Sequence, residues 1–246
     1  MLSLTEVYKT YNHSEKAVSN LNLHVNAGEV FGFLGPNGAG KSTTIKLITG
    51  ILPLDSGIIK INNINIEQAP LEAKKHLGYV ADVAEFFLHF KGIEYLNFLR
   101  DIYKLPVEIT ENKIKETASR LNMVHALEGY IKNYSYGMKK KLFIIGSLLH
   151  DPKVWILDEP LNGLDPRSSY MIKELMKEHA SQGNTVFFST HMLAVAEEVC
   201  NRVGIIKQGE KLFEGTIEEI KLAMQKHHTS LENLFLELTD DNYNSY

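Results

Sequence analysis

The sequence predicts an α/β protein: a sheet covered on both faces that carries a phosphate-binding loop, an antiparallel β subdomain near the start, and an inserted helical subdomain. Three observations predict it. Residues 35–42 read Gly-Pro-Asn-Gly-Ala-Gly-Lys-Ser and fit the loop pattern G-x-x-x-x-G-K-[ST]. Continuous apolar runs at Val30–Leu34, Val154–Leu157, Thr185–Phe188 and Val203–Ile206 suit strands buried on both sides. Between these runs the apolar spacing turns helical, from Glu94 to His150.

The elements follow in order. Val7 to Val30 reads as strand, turn, strand, with Asn26-Ala27-Gly28-Glu29 as the turn before the loop strand. Val30–Leu34 is that strand, and Thr43–Ile48 is the helix after the loop. Pro53–Gly57 is a turn that leads into the strand-like Ile58–Ile61. In the helical stretch, Leu96, Leu99 and Tyr103 share one stripe, and Ile114, Ala118 and Leu121 a second. Met138, Leu142, Ile145 and Leu149 make a third. Met171, Ile172, Leu175 and Met176 mark a helix between two of the later strands. Residues 230–238 read as one amphipathic helix, with a polar end after it. The expected units are therefore a core of 1–82 and 151–215, an insertion at 83–150 and a helical extension at 216–246.

Composition narrows the function classes. The chain has 246 residues, 44% hydrophobic and 23% charged, as expected for one large globular domain or a domain with an insertion. The net charge of −4 gives free-standing nucleic-acid binding no electrostatic support, and none is expected. One cysteine, Cys200, suits a reducing compartment. No apolar run approaches the roughly 18 residues of a membrane span, and Met1–Glu6 lacks the pattern of a signal peptide. Any work at a membrane is then expected from a peripheral position on its cytoplasmic face.

The loop carries the chemistry. Four fixed positions match by accident in roughly one chain in a hundred at average residue frequencies. The glycines Gly35, Gly38 and Gly40, spaced among Pro36, Asn37 and Ala39, let the loop curl so that the N–H groups of its non-proline residues point at an anion. The helix that opens near Lys41, Ser42 and Thr43 aims its positive end at the same place. Lys41 is expected to reach the β- and γ-phosphates of a nucleotide, and Ser42 to ligate magnesium. Val154–Leu157 ends in two adjacent acids, Asp158 and Glu159. Asp158 would hold the magnesium through its water shell, and Glu159 would orient or deprotonate the attacking water. The bland alternative is a surface acid pair at a strand end. His191 stands just past the strand-like Thr185–Phe188 and could reach a γ-phosphate, although a lone histidine is more often structural.

The order of these motifs resembles the ATP-binding subunit of an ABC transporter, over nearly the whole chain. The resemblance implies a P-loop NTPase core of ABC-ATPase type, with ATP and Mg²⁺ as cofactors. It implies that Tyr134-Ser135-Tyr136-Gly137-Met138 stands in the family's signature loop, usually Leu-Ser-Gly-Gly-Gln, with Ser135 and Gly137 matching. That loop completes the nucleotide site of a second, head-to-tail subunit. Leu161–Asp165 then matches the loop that links the two sites, His191 the γ-phosphate-sensing histidine, and Tyr11 the aromatic on which adenine stacks.

Two motifs depart from the family pattern. Asp82 stands where a glutamine is usual; it is expected near the metal, where it adds negative charge. Tyr136 replaces a glycine and Met138 the glutamine of the signature loop. The segment Glu85-Phe86-Phe87-Leu88-His89-Phe90 could line the groove that receives a membrane-spanning partner, or simply pack the insertion's core. The expected function is an ATP-hydrolysing subunit that powers a separate permease, of exporter type by the look of its signature loop and ending. Two alternatives stay open at this point: a soluble ATPase of the same family acting on ribosomes or DNA, and a regulatory module that binds ATP without turnover.

Overall fold

The computed structural model describes residues 1–11, 15–82, 87–220 and 222. In chain order its elements begin β1 (Leu2–Tyr11), β2 (Glu15–Val25), β3 (Val30–Leu34), α1 (Lys41–Ile48), β4 (Ser56–Ile61), β5 (Ile64–Asn65), α2 (Pro70–Lys75) and β6 (Leu77–Val80). The helical stretch holds α3 (Gly92–Tyr103), α4 (Val107–Arg120) and α5 (Tyr136–Leu148). Then come β7 (Val154–Asp158), α6 (Pro166–Ser181), β8 (Thr185–Thr190), α7 (Leu193–Val199), β9 (Arg202–Lys207) and β10 (Glu210–Thr216).

These strands form two sheets. The order β2-β1-β4-β5 makes an antiparallel sheet, and β10-β9-β3-β8-β7-β6 makes the second. Within the second sheet β9, β3, β8, β7 and β6 pair in parallel and only β10 runs antiparallel. Every residue of β3, β7 and β8 is buried, as their unbroken apolar runs require. Successive side chains go to opposite faces. Trp155, Leu157, Val186 and Phe188 join the core shared with α3–α6. Val154, Ile156, Phe187, Phe31 and Phe33 join the core under the antiparallel sheet and α1.

The helices attach to this frame by recognisable local chemistry. Ser135 caps α5, accepting from the Met138 N–H at 3.3 Å. Asp165 caps α6 ahead of Pro166, accepting from the Ser168 N–H at 2.9 Å. α5 packs on the sheet closely enough that the buried Trp155 indole N–H donates to Ser147 Oγ at 2.9 Å. A side chain at Gly78 would stand 2.6 Å from the Ser147 carbonyl oxygen, so glycine permits this close approach. The predicted stripes face inward: Leu96, Ile114, Ala118, Leu121, Leu142, Ile145 and Leu149 are all buried.

The sequence reading lacked α2, α7, β5, β6 and β10. The first three have six, seven and two residues, too few to show a period. β10 carries charge at Glu210, Lys211 and Glu214 because it lies at the sheet's edge. Helix α1 starts at Lys41, two residues before the expected Thr43, and α3 starts at Gly92 rather than Glu94. The tail helix expected at 230–238, and Glu85 and Phe86, lie outside the described residues. Phe87 is partly exposed and packs against Tyr95 and Phe98, whereas Phe90 sits against the helical core.

Candidate active site

Parallel pairing puts the C-terminal ends of β3, β7 and β8 on one edge. Register does the rest: Leu34 lies beside Thr190, and Asp158 beside Ser189. The loop that leaves β3, the acid pair that ends β7 and the Ser189-Thr190-His191 exit of β8 therefore meet.

The loop's shape is written in its glycines. Gly38 and Gly40 take φ of 81° and 104°. A Cβ at Gly40 would stand 2.4 Å from the Ala17 carbonyl oxygen, and one at Gly35 the same distance from that of Ile206. The loop is thus wedged between β2 and β9 with no room for side chains at those two positions. Ala39 is buried beneath it.

A cavity of about 520 Å³ opens over the loop. Its wall includes Pro36, Asn37, Gly38, Gly40, Lys41, Ser42, Thr43, Asp82, Glu159 and His191, with Tyr11 among them. Lys41 is buried, its Nζ donating to the Gly35 carbonyl at 2.7 Å and the Pro36 carbonyl at 3.1 Å. It stands 3.9 Å from Glu159 Oε1. Burial lowers its pKa, while the negative charges of Glu159 and Asp158 oppose that shift. The same charge is felt by Tyr79, whose pKa burial, Asp158 and Asp82 together raise to about 12.

The acids are held by their neighbours. Asp158 Oδ1 accepts from Ser189 Oγ at 2.6 Å and lies 3.5 Å from Ser42 Oγ. Ser189 Oγ accepts in turn from the Glu159 N–H at 3.0 Å. His191 Nδ1 is 3.1 Å from Glu159 Oε1. Glu159 takes a left-handed φ of 44°, which a residue with a Cβ adopts only under local constraint.

Asp82 reaches the cavity but has partners that the sequence reading did not foresee. Its Oδ1 accepts from Tyr136 Oη at 2.9 Å and from Lys140 Nζ at 3.2 Å. Ser135, Gly137 and Asp165 lie outside the cavity wall. Gly137 and Gly163 face one another across the two loops, with Tyr136 against Gly163. Asp165 gives both oxygens to Ser168, which lowers its carboxyl pKa.

Sequence reasoning missed two residues of this region, Ser189 and Lys140. A serine directly after an apolar strand, two positions before the histidine already singled out, was a usable signal for Ser189. Lys140 sits in a run of three lysines, which reads as a solvated face, yet it is buried.

The donors suit a nucleotide with a hard cation. Ser42 and Asp158 offer a hydroxyl and a carboxylate, the oxygen ligands magnesium takes, and the loop offers N–H groups and one ammonium for phosphates. Among the described residues no group of three or more His, Cys, Asp or Glu could hold a metal unaided. The arrangement therefore fits an ion that shares its ligands with a phosphate and water.

The family description "ABC transporter" matches residues 18–162. The chain is 37% identical over 225 residues to the ABC transporter ATP-binding protein YxlF of Bacillus subtilis, covering 92% of this chain and 74% of YxlF. It is 33% identical over 243 residues to the bacitracin transport ATP-binding protein BcrA of Bacillus licheniformis, covering 98% of this chain and 76% of BcrA. Coverage of such curated relatives runs from 62% to 97% of their own lengths. A solved ATP-binding subunit of an ABC transporter superposes with a TM-score of 0.90 at 28% identity, covering 97% of this chain and 99% of that one. The dimeric cassette MJ0796, in a post-hydrolysis state with ADP and Pi, superposes with a TM-score of 0.79 at 25% identity, covering 88% and 99%.

Proposed function

This chain belongs to the ABC transporter family of ATP-binding proteins, and on that premise we propose that it hydrolyses ATP to power a separate membrane-spanning permease. The observation that carries the reading is convergence: Lys41, Ser42, Glu159 and His191 line one cavity, with Asp158 beneath Ser42. Lys41 would exchange its bonds to the Gly35 and Pro36 carbonyls for the β- and γ-phosphate oxygens. Ser42 and Asp158 would hold magnesium, which supplies charge neutralisation between those phosphates. Glu159 would orient a water and take its proton, with His191 donating from Nδ1 to steady the carboxylate. Tyr11 would stack on the base.

Ser135, Gly137 and Asp165 are assigned to the second half of a head-to-tail pair, because they cluster on one surface away from their own cavity. The helical insertion, taken as 83–150, would receive the permease near Phe87 and Phe98, which are partly exposed. Among the described residues no helix is long and apolar enough to cross a membrane, and in this reading the partner supplies the span. The likeness to BcrA, named for bacitracin transport, supports a transport role, for which we propose the export direction and a position on the inner face of the membrane. Glu159→Gln tests the assignment. ATP turnover should vanish while ATP binding persists, and undiminished turnover would refute it.

A further inference from the structure

Two of the residues that depart from the family pattern, Asp82 and Tyr136, lie 54 positions apart and touch. Tyr136 Oη donates to Asp82, 2.9 Å from its Oδ1 and 2.8 Å from its carbonyl oxygen. Lys140, one turn further along α5, closes the group. An ammonium has three protons to donate. Lys140 places them on Asp82 Oδ1 at 3.2 Å, Tyr136 Oη at 3.2 Å and the Glu159 carbonyl oxygen at 2.5 Å. The residue is 3% exposed, and its ammonium also lies 5.2 Å from the centre of the Tyr136 ring. Every donor is matched, and among the described residues the countercharge in direct contact is Asp82.

The third bond matters for chemistry. Glu159 is held from both sides of its own backbone: its N–H by Ser189 and its carbonyl by Lys140. Between those two bonds the residue keeps its left-handed φ of 44°. That conformation sends the carboxylate into the cavity, to His191 and Lys41. Without the ammonium, the peptide after Glu159 loses the charge-assisted bond that opposes relaxation to an ordinary φ.

We propose that Lys140 is a positioning residue for Glu159, anchored by the matched pair Asp82 and Tyr136. The clamp ties the first turn of α5 to the hydrolytic end of the cavity. Asp82 then serves the clamp through its bonds to Tyr136 and Lys140. The proposal rests on the reading of Glu159 as the residue that activates water.

The test uses the full chain with Mg-ATP. Lys140→Met should lower kcat roughly 10- to 100-fold, the range expected when a catalytic group is misplaced by about an ångström. KM and the ATP dissociation constant should stay within about twofold, because the phosphate loop is untouched. Lys140→Arg, which keeps the charge, should recover much of the lost kcat. Tyr136→Phe removes a single hydroxyl from a partly exposed ring and guards against a Lys140 variant that fails to fold. It should cost roughly three- to tenfold in kcat, and adding Asp82→Asn should cost little more, since both break one unit. Unchanged kcat in Lys140→Met, an equal loss of ATP binding, or additive losses in the double variant would overturn the clamp. A crystal structure of Lys140→Met supplies a readout independent of turnover: Glu159 should leave its positive φ, and an unmoved Glu159 would also overturn the proposal. If Glu159→Gln stops turnover while Lys140→Met does not slow it, the clamp alone fails. If Glu159→Gln changes nothing, the hydrolytic reading fails instead.

Discussion

The cavity over the phosphate loop and the surface formed by the starts of α5 and α6 use similar residues to opposite ends. In the cavity, polar side chains converge from three parallel strand ends, and Lys41, Asp158, Glu159 and His191 each have a neighbour of opposite charge or a hydrogen-bond partner. On the other surface, Ser135 and Asp165 use their side chains to cap their own helices. The glycines there give close contact between two loops instead of a curl around an anion. One region is a nearly complete site, and the other offers helix N-termini and small residues outside that cavity. The difference says that chemistry is built into one place and that the second place is shaped to meet something, which we assign to the nucleotide of a second copy.

The comparison can be broken at either region. The largest effect is expected in the cavity. Glu159→Gln should lower turnover by about 100-fold or more, the contribution of a general base, with ATP binding retained in a filter or fluorescence assay. Next, Lys41→Ala should weaken ATP binding by roughly 10- to 100-fold, the loss of a charged bond to phosphate, as read by calorimetry. The second region should respond differently. Ser135→Ala should leave nucleotide affinity of the isolated chain unchanged. It should slow turnover, which needs the paired state, and lower stability by about 1 kcal/mol through the lost cap. Weakened binding in the isolated chain would place Ser135 in its own cavity and erase the distinction.

The smallest effect belongs to neither region. His150 stacks on Tyr103, and His179 lies against Trp155. Burial pulls both histidines down to about 4 from 6.5. The unfolded chain takes up these protons below pH 6.5, whereas the folded chain resists until about 4. Their contribution is therefore present above pH 6.5 and lost as pH falls through that window. Melting temperature should decline between pH 6.5 and 4, with a shallower slope in His179→Phe.

Much of this was legible in the sequence for a physical reason. Strands such as Val154–Leu157 are buried on both faces, so they show as unbroken apolar runs, and the loop's glycines are dictated by backbone clearance rather than by distant partners. Hence Lys41, Ser42, Asp158, Glu159 and His191 could be named before any fold was known. Lys140 could not. Its role depends on α5 lying across β6, which brings it under Asp82 and Glu159, residues 58 and 19 positions away. Ser189 depends on the register of β7 against β8. Asp82 and Tyr136 were each recognisable as departures, but their contact is a tertiary fact. The short elements α2 and α7 were missed because one or two turns carry too little pattern to stand out from a loop.

The account is tested most directly by a crystal structure of Glu159→Gln with ATP and magnesium. It predicts two chains closed head to tail, each triphosphate lying between Lys41 of one copy and Ser135 and Gly137 of the other. A triphosphate seated away from Lys41, or seated there with Ser135 of both copies facing solvent, would contradict it.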